Sequence, residues 1–243
     1  MWKVAALLLA LGLACLSQAR VEAQIPNIKY LGFTGAKPPT IAPQGNITAT
    51  GASTTHTFSG MAIGAASSDR YVVATITGNA AASLSSATIG GVSATIAKSQ
   101  LSIGTGVVWI IYALVTSGTT ADVVANTGST VSRWGCSTFS MTGWGGTKKV
   151  TNGSNNSNNL TLTLSLTGKA AVAGVIFSAN AGVGDPSYGN TWTGLTEYQD
   201  TFFSFSNAGS AYGNNIAPGT GITVVSGATA SSATAGATIG FSN

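Results

Sequence analysis

The sequence is poor in charged residues and in the side chains that most often carry catalysis. Charged residues make up 7% of the chain, against roughly 25% in an average soluble domain. Histidine occurs once, cysteine twice, and aspartate and glutamate together six times in 243 residues. A zinc site built from histidines and cysteines therefore lacks ligands. A serine–histidine–aspartate triad would have to use His56, and no Gly-x-Ser-x-Gly nucleophile motif accompanies it.

Scarce acids, rather than a basic patch, explain the formal net charge of +4. The longest run of basic residues is Lys148-Lys149, whereas nucleic-acid-binding surfaces cluster many lysines and arginines on one face. We therefore expect no nucleic-acid partner, and nothing in the chain calls for a cofactor. Beyond the first residues Cys136 is the sole cysteine, so no internal disulfide can form, and we expect it to be a small buried residue of a strand.

Residues 1–23 follow the order of a secretory signal peptide. Lys3 precedes an apolar run at residues 4–13, and small residues follow up to Ala19 and Ala23, either of which suits cleavage. The run is about ten residues long, half of the roughly twenty that span a bilayer. The pattern predicts export. The alternative is an uncleaved apolar helix that docks the protein into an assembly, so any membrane contact is expected through this leader alone.

Residues 24–45 form a second distinct segment, which carries Pro26, Pro38, Pro39 and Pro43. Proline lacks the N–H that a strand ladder needs, so the segment is predicted to be an extended arm. Such an arm could pack along a neighbouring subunit or add a strand to it. A flexible linker is the alternative.

Residues 46–243 contain many stretches in which apolar and polar residues alternate, with the two-residue period of β-strands. Leucines alternate with threonine or serine over residues 160–166, as in a half-buried strand. Residues 170–179 (AAVAGVIFSA) are almost continuously apolar, which predicts a central strand covered on both faces. Residues 167–169 between them are predicted to form a tight turn, and Gly90-Gly91 to close a second hairpin over residues 87–97.

Helical periodicity is absent beyond the leader, and further strands are predicted at residues 71–77, 107–115, 121–125, 131–141, 202–205, 222–225 and 236–241. Many short strands separated by glycine-rich turns predict an all-β fold, an antiparallel β-sandwich of jelly-roll or immunoglobulin-like type. The Asn-rich residues 145–159 are predicted to be a surface loop or a boundary between two lobes.

One stretch, residues 190–200 (NTWTGLTEYQD), combines acids with aromatics. Glu197 and Asp200 resemble the carboxyl pair of a glycosidase, and Trp192 and Tyr198 could stack on a sugar. Three positions along a strand place two side chains on opposite faces, so only a turn would bring the acids together. We expect a structural loop without catalytic residues or a metal, and take these four residues as candidates for glycan or receptor binding. Asp185 could join them, or hold calcium with nearby oxygens.

The arrangement also resembles β-sandwich structural proteins of tailed-bacteriophage virions, of the head-decoration, spike or tail-fibre kind. The similar residues lie between Phe58 and Phe241, in residues 67–73 (SSDRYVV), 89–92 (IGGV), 109–112 (WIIY) and 192–197 (WTGLTE). The resemblance implies a non-enzymatic building block that assembles as symmetric copies or contacts the host surface. It carries over no catalytic residues. The secretory-type leader departs from it, since virion proteins normally assemble in the cytoplasm.

Three functions therefore stay open. The first is a structural component of a virion or similar surface assembly, whose partners are copies of itself, other assembly proteins and host-surface glycan. The second is an exported bacterial adhesin or pilus-like subunit that donates its proline-rich arm to the next subunit. The third is a secreted glycan-binding domain that uses Trp192, Glu197, Tyr198 and Asp200. The expected location is the virion, the cell surface or the extracellular medium.

Overall fold

The computed structural model describes residues 37–101, 106–155, 159–166, 168–179, 189–202, 206–225 and 233–243, and these contain β-strands and no helix. Contacts group Pro38–Asn243 into one compact unit. The predicted leader and residues 24–36 of the predicted arm lie outside the described residues. Within the described part, no helix has the length and hydropathy to cross a membrane.

Fifteen strands are described: β1 (Thr40–Ala62), β2 (Tyr71–Gly78), β3 (Leu84–Ile89), β4 (Val92–Ser93), β5 (Thr95–Leu101), β6 (Val107–Leu114), β7 (Thr120–Thr142), β8 (Thr147–Asn155), β9 (Asn159–Thr163), β10 (Ala170–Ala179), β11 (Thr191–Thr193), β12 (Thr196–Phe202), β13 (Ser206–Ile216), β14 (Gly221–Val225) and β15 (Ala233–Ser242). All their pairings are antiparallel. The all-β, antiparallel part of the prediction is confirmed.

Sheet A is seven-stranded and runs in the order β4-β3-β7-β2-β6-β5, with β1 also paired to β7. The 23-residue length of β7 gives its two halves different neighbours: residues 123–127 pair with β3 and residues 134–141 with β2. This arrangement curls the sheet into a nearly closed barrel. The two ends of β1 meet there, since a Cβ on Gly45 would lie 3.1 Å from the backbone nitrogen of Ala62.

The inside of sheet A holds one apolar core, here called the barrel core. Its largest members, all fully buried, come from five different parts of the sheet: Phe58, Ile76, Ile89, Trp109 and Trp134. This core stabilises sheet A from the inside, because apolar burial is the dominant favourable contribution to folding.

Two further sheets follow in the second half of the chain. Sheet B has the order β12-β13-β10-β15-β8, and sheet C the order β11-β14-β9. Side chains of β10 alternate between two more cores: Val175 and Phe177 join the middle core between sheets A and B, and Val172 and Ile176 join the outer core against sheet C. The prediction that residues 170–179 form a strand covered on both faces is confirmed.

Predictions that depended on a few adjacent residues agree with the structure. Gly90 and Gly91 have φ of 60° and 76° and join β3 to β4, as such a turn requires. The turn is confirmed, but the hairpin ends at residue 94, because Thr95 and the residues after it pair with β6. Cys136 is a buried residue of β7, as expected. His56 lies in β1.

Three segments differ from expectation. The strands on either side of residues 167–169 do not pair: β9 pairs with β14, and β10 with β13 and β15. The predicted hairpin there is wrong because the chain changes sheet at that point. Residues 147–155 of the predicted Asn-rich loop form β8, paired with β15. Residues 40–45 of the predicted arm belong to β1, which accommodates Pro43 at a register shift between Pro43 and Gly45.

Candidate functional site

The two acids of the candidate site lie on β12, at the edge of sheet B. Glu197 pairs with Ala211 and Gln199 with Ser210, so Tyr198 is an extra residue in β12. Such a β-bulge shifts the alternation of side chains by one position. Glu197 and Asp200 consequently lie on the same face of β12, close enough for their carboxyl groups to interact. We expected a structural loop here, in which only a turn could bring the acids together. The stretch instead forms β11 and β12, and a bulge brings the acids to one face.

Asp200 is held in place by the backbone around it. Its Oδ2 accepts a 2.7 Å hydrogen bond from the Asn190 backbone N–H, and its Oδ1 accepts one of 2.6 Å from Asn190 Nδ2. A Cβ on Gly189 would lie 2.9 Å from Asp200 Oδ2, and one on Gly209 would lie 2.9 Å from Oδ1. We call this arrangement the glycine cradle, since any larger residue at either glycine would push the carboxylate away.

The environment raises the pKa of both acids. Partial burial, the negative charge of Asp200 and the hydrogen bond to it raise the pKa of Glu197 to about 7. Burial also raises the pKa of Asp200, although the hydrogen bonds from Asn190 and Glu197 oppose this. Two carboxyls in contact disfavour a second negative charge. Near neutral pH the pair therefore retains a proton for part of the time.

Asn190 is the third polar group at this position, and sequence reasoning did not single it out. Its side chain is 3% exposed, and its Oδ1 is buried without a hydrogen-bond partner. A buried acceptor left in this state costs about 1–3 kcal/mol. The asparagine that anchors Asp200 therefore carries an unused oxygen beside two carboxyl groups.

The two aromatic candidates, Trp192 and Tyr198, pack against apolar residues rather than against the acids. Trp192 is buried in the outer core, where a Cβ on Gly174 would lie 2.9 Å from its ring. Tyr198 is half-buried, with its ring centroid 5.6 Å from that of Phe139 in an edge-to-face contact. The structure therefore brings Glu197 and Asp200 together, with Tyr198 next to them in the chain but packed against Phe139. Trp192 lies in the outer core, where a sugar at the surface could not stack on it. Asp185 lies outside the described residues.

A shallow polar groove runs next to the pair. Asn46, Ile47 and Thr48 of β1 line one wall, and residues 198–201 of β12 line the other. Among the described strands, β1 pairs only with β7 and β12 only with β13. The groove therefore lies between edge strands of two different sheets. We refer to it as the edge groove.

The histidine and the cysteine outside the leader serve packing. The His56 ring stacks on Trp134 at 5.3 Å and contacts Phe58 edge-on at 4.6 Å, and burial lowers the pKa of its imidazole. Burial raises the pKa of the Cys136 thiol, so the reactive thiolate is disfavoured. Among the described residues, no group of three or more His, Cys, Asp or Glu side chains could hold a metal ion.

Arg70 is a buried residue that binds backbone carbonyls, a role that no sequence pattern indicates. It is 0% exposed and donates four hydrogen bonds of 2.6–2.9 Å to backbone carbonyls, those of Gly64, Val115, Ser117 and Gly118. The neighbouring Asp69 accepts hydrogen bonds from Ser67 Oγ and from the Gly143 N–H, so the two adjacent charged residues bind different parts of the chain.

No protein-family model, curated protein or solved structure matches the sequence.

Proposed function

We propose that this protein is a non-enzymatic structural component of a virion or cell-surface assembly, present in many copies. The observation that carries the proposal is the edge strand β1, which has 23 residues and no charged side chain. Exposed strand edges present unpaired backbone groups, and proteins that stay monomeric commonly protect them with lysines or other charges. The ends of β1 are covered within the chain, where Ile41 exchanges two hydrogen bonds with the Asn214 side chain and Gly45 lies against Ala62. The uncharged edge between them favours a cover supplied by another chain.

Exposed apolar side chains on the edges of sheet A support the same conclusion. Ile47 on β1, Val92 on β4 and Leu101 on β5 are 38%, 42% and 45% exposed, and each of these strands is paired on one side only among the described strands. Strand addition would cover such side chains and satisfy the free backbone groups together.

The segment of β1 best suited to strand addition lies in the edge groove. Pro43 and the register shift after it interrupt the first part of the ladder, but residues 46–50 pair with β7 without a break. Residues 46–48 of this run form the β1 wall of the groove. The expected partners are therefore copies of this chain and other proteins of the assembly. Stacked antiparallel sheets support assignment to the sandwich class, jelly-roll or immunoglobulin-like, as in head-decoration, spike and tail-fibre proteins.

Two other functions compete with this proposal. An exported adhesin or pilus-like subunit would use the same edges and receive a donated arm. A secreted glycan-binding domain draws support from Tyr198 and Asp200 in the wall of the edge groove, although the burial of Trp192 removes one of the two rings that would stack on sugar. Host-surface glycan is a compatible further partner of an assembled form.

The first experiment is an intact mass and N-terminal sequence of the native protein, with sedimentation of the same sample. A chain that begins at Met1 and sediments with large particles would support the virion form of the proposal. A chain that begins at Arg20 or Gln24 and forms filaments or surface aggregates would support the exported adhesin. A processed monomer free in the medium would contradict assembly altogether.

The edge itself is tested by a matched pair of substitutions. Thr48 is an exposed residue of β1 in the edge groove, and Thr130 is an exposed residue of β7 that does not line the groove. Burying an unpaired lysine in an interface is costly, so Thr48→Lys should reduce assembly at least about tenfold. Thr130→Lys should leave it unchanged. Equal effects of both, measured by sedimentation, would show that β1 is not the contact.

A further inference from the structure

We propose that a cavity between sheets A and B binds one ordered water molecule, which joins Thr77 of sheet A to polar side chains of sheet B. The cavity lies within a single copy of the chain, so the inference goes beyond the proposed assembly and does not depend on it. A hydroxyl without a partner, a cavity of matching size and walls with unused hydrogen-bonding groups all point to water at this position.

The hydroxyl of Thr77 on β2 is buried, and it has no hydrogen-bond partner among the described residues. Thr77 is 5% exposed. Thr75 lies two positions earlier on the same face of the strand and is 2% exposed, and its Oγ1 donates over 3.5 Å to the Ser137 carbonyl. Hydroxyl donors usually approach their acceptors to about 2.5–3.0 Å, so this bond is weak. Two neighbouring hydroxyls therefore lack a good partner, although buried polar groups in proteins are almost always hydrogen-bonded.

Both threonines line a small cavity between the two sheets, here called the inter-sheet cavity. Its other polar side chains are Ser137 of β7, Gln199 and Thr201 of β12, and Ser210 of β13. The cavity has a volume of about 10 Å³, close to the minimum that holds one water molecule. Cavities that stay empty are lined by apolar groups, whereas a water molecule in a polar cavity makes about two to four hydrogen bonds. The size and the lining therefore favour a single water molecule over any larger ligand.

A chain of hydrogen bonds crosses the cavity wall from sheet B to sheet A and back. Ser210 Oγ donates to Ser137 Oγ over 2.9 Å, Ser137 Oγ donates to Gln199 Oε1 over 2.6 Å, and Gln199 Nε2 donates to Thr201 Oγ1 over 2.7 Å. Within the described part of the chain, these bonds use one of the two hydrogens on Gln199 Nε2 and leave the hydroxyl hydrogen of Thr201 for another acceptor. A water molecule can accept from these groups of sheet B and bond to Thr77 Oγ1 on sheet A. Since a bridging water is nearly as favourable in enthalpy as a direct hydrogen bond, it satisfies Thr77 without any movement of the sheets.

The inter-sheet cavity adjoins the edge groove, because Gln199 and Thr201 line both. The groove gives the bound water a route of exchange with solvent. Among the described strands β12 pairs only with β13, so contacts with sheet A have to fix its other side. The bond between Ser137 and Gln199 is one such contact, and the water adds a second one from Thr77. Its role is therefore to hold the edge strand β12 on sheet A.

The test is oxygen-17 magnetic relaxation dispersion of the full chain, which detects water molecules that stay bound for at least as long as the protein takes to rotate. Thr77→Val keeps the shape of the side chain and removes the hydroxyl, so the signal of long-lived water should fall by about one molecule. Thr77→Ser keeps the hydroxyl and should retain that molecule. An unchanged signal in Thr77→Val, or the same loss in Thr77→Ser, would overturn the proposal.

Denaturant unfolding gives a second readout, which distinguishes a hydrated cavity from a dry one. With water bound, Thr77→Val loses a hydrogen bond, so the unfolding midpoint should fall. In a dry cavity the same change replaces an unpartnered hydroxyl with a methyl group, and the midpoint should rise. Thr57→Val is the matched control at an exposed position of β1, and it should leave the water signal unchanged. A midpoint raised by Thr77→Val, or loss of the water in Thr57→Val, would contradict the assignment.

Discussion

The barrel core and the outer core bury apolar surface in opposite ways. In the barrel core large rings from different strands of sheet A contact each other: Trp109 stacks on Trp134 at 5.9 Å, and Phe58 lies edge-on to Trp134 at 6.3 Å. In the outer core leucine side chains pack over glycines of sheet B. A Cβ on Gly236 would lie 2.6 Å from Leu160, and one on Gly240 2.8 Å from Leu166.

This difference decides which kind of substitution each half tolerates. Protein interiors are close-packed, so a core responds both to lost volume and to added volume. The barrel core is expected to be most sensitive to truncation, since each ring supports others. Small residues on sheet B make the outer core most sensitive to enlargement. The predictions that follow probe this contrast, from the largest expected effect to the smallest.

Truncation in the barrel core should have the largest effect. Trp134 is 0% exposed and its Nε1 donates to the Val131 carbonyl. Trp134→Ala should lower the free energy of unfolding by about 3–5 kcal/mol, because it opens a cavity among rings that cannot collapse into it. Denaturant unfolding measures this. Trp134→Phe is the control, which keeps a ring and should cost clearly less; equal losses would show that volume is not the cause.

Removal of the Arg70 guanidinium should have the next largest effect. Arg70→Met leaves four backbone carbonyls without their donor, of which the one on Val115 is in buried surroundings and the others are part-buried. Water can reach the part-buried ones, so we expect a loss of about 3 kcal/mol in the free energy of unfolding. Arg133 is a half-buried arginine of β7, and Arg133→Met should cost within about 0.5 kcal/mol. A similar loss in the free energy of unfolding for both variants would show that the hydrogen bonds of Arg70 do not stabilise these loops.

Enlargement in the outer core should have an intermediate effect. Gly236→Ala places a methyl group 2.6 Å from Leu160 and should destabilise the fold by about 1–3 kcal/mol through overpacking. Gly221 in β14 has no atom within 4 Å of the position of a Cβ. Gly221→Ala should therefore be neutral or slightly stabilising, since alanine restricts the unfolded chain. Thermal unfolding of both variants would test the contrast, and a harmless Gly236→Ala would refute it.

The smallest expected effect is the pH dependence that arises from Glu197. Its pKa of about 7 in the folded protein exceeds the ordinary 4.5, so the folded state binds this proton more tightly than the unfolded state does. The resulting stability is fully present below pH 4.5 and is lost as pH rises through 7. The residue is exposed, so solvent screening keeps the effect small.

Measurement requires EDTA, to exclude divalent cations, and a comparison of unfolding midpoints between pH 4.5 and pH 7. Glu197→Gln should flatten the decline over this range. Asp122→Asn, which removes a carboxyl on another strand that accepts a hydrogen bond from the Gly60 N–H, should retain it. A decline that persists in Glu197→Gln would assign the titration to another group.

Strands with strong apolar signals were predictable because burial selects their side chains directly. The continuous apolar run of β10 indicated cover on both faces, and the adjacent glycines at positions 90 and 91 indicated a hairpin. β1, β8 and β13 gave no comparable signal, since they consist largely of Thr, Ser, Asn and Gly. Such residues pair as strands only where neighbouring strands supply the ladder, because strand preference depends on context.

The candidate site illustrates the same limit at single residues. Composition and spacing singled out Glu197 and Asp200, but three positions along a regular strand would have separated them. Their contact depends on the bulge at Tyr198, which is set by the register between β12 and β13. Asn190 and Arg70 went unrecognised because their roles depend on burial, and no local pattern in the sequence encodes that.

The sequence by itself determined the all-β class, the scarcity of catalytic side chains and the two-sided burial of β10, because alternation and composition act within a few residues. Only the tertiary structure decided that sheet A curls into a barrel, that the chain changes sheet between β9 and β10, and that Asn190 meets Asp200. Each of these depends on pairings between residues far apart in the chain, whose register no local pattern specifies.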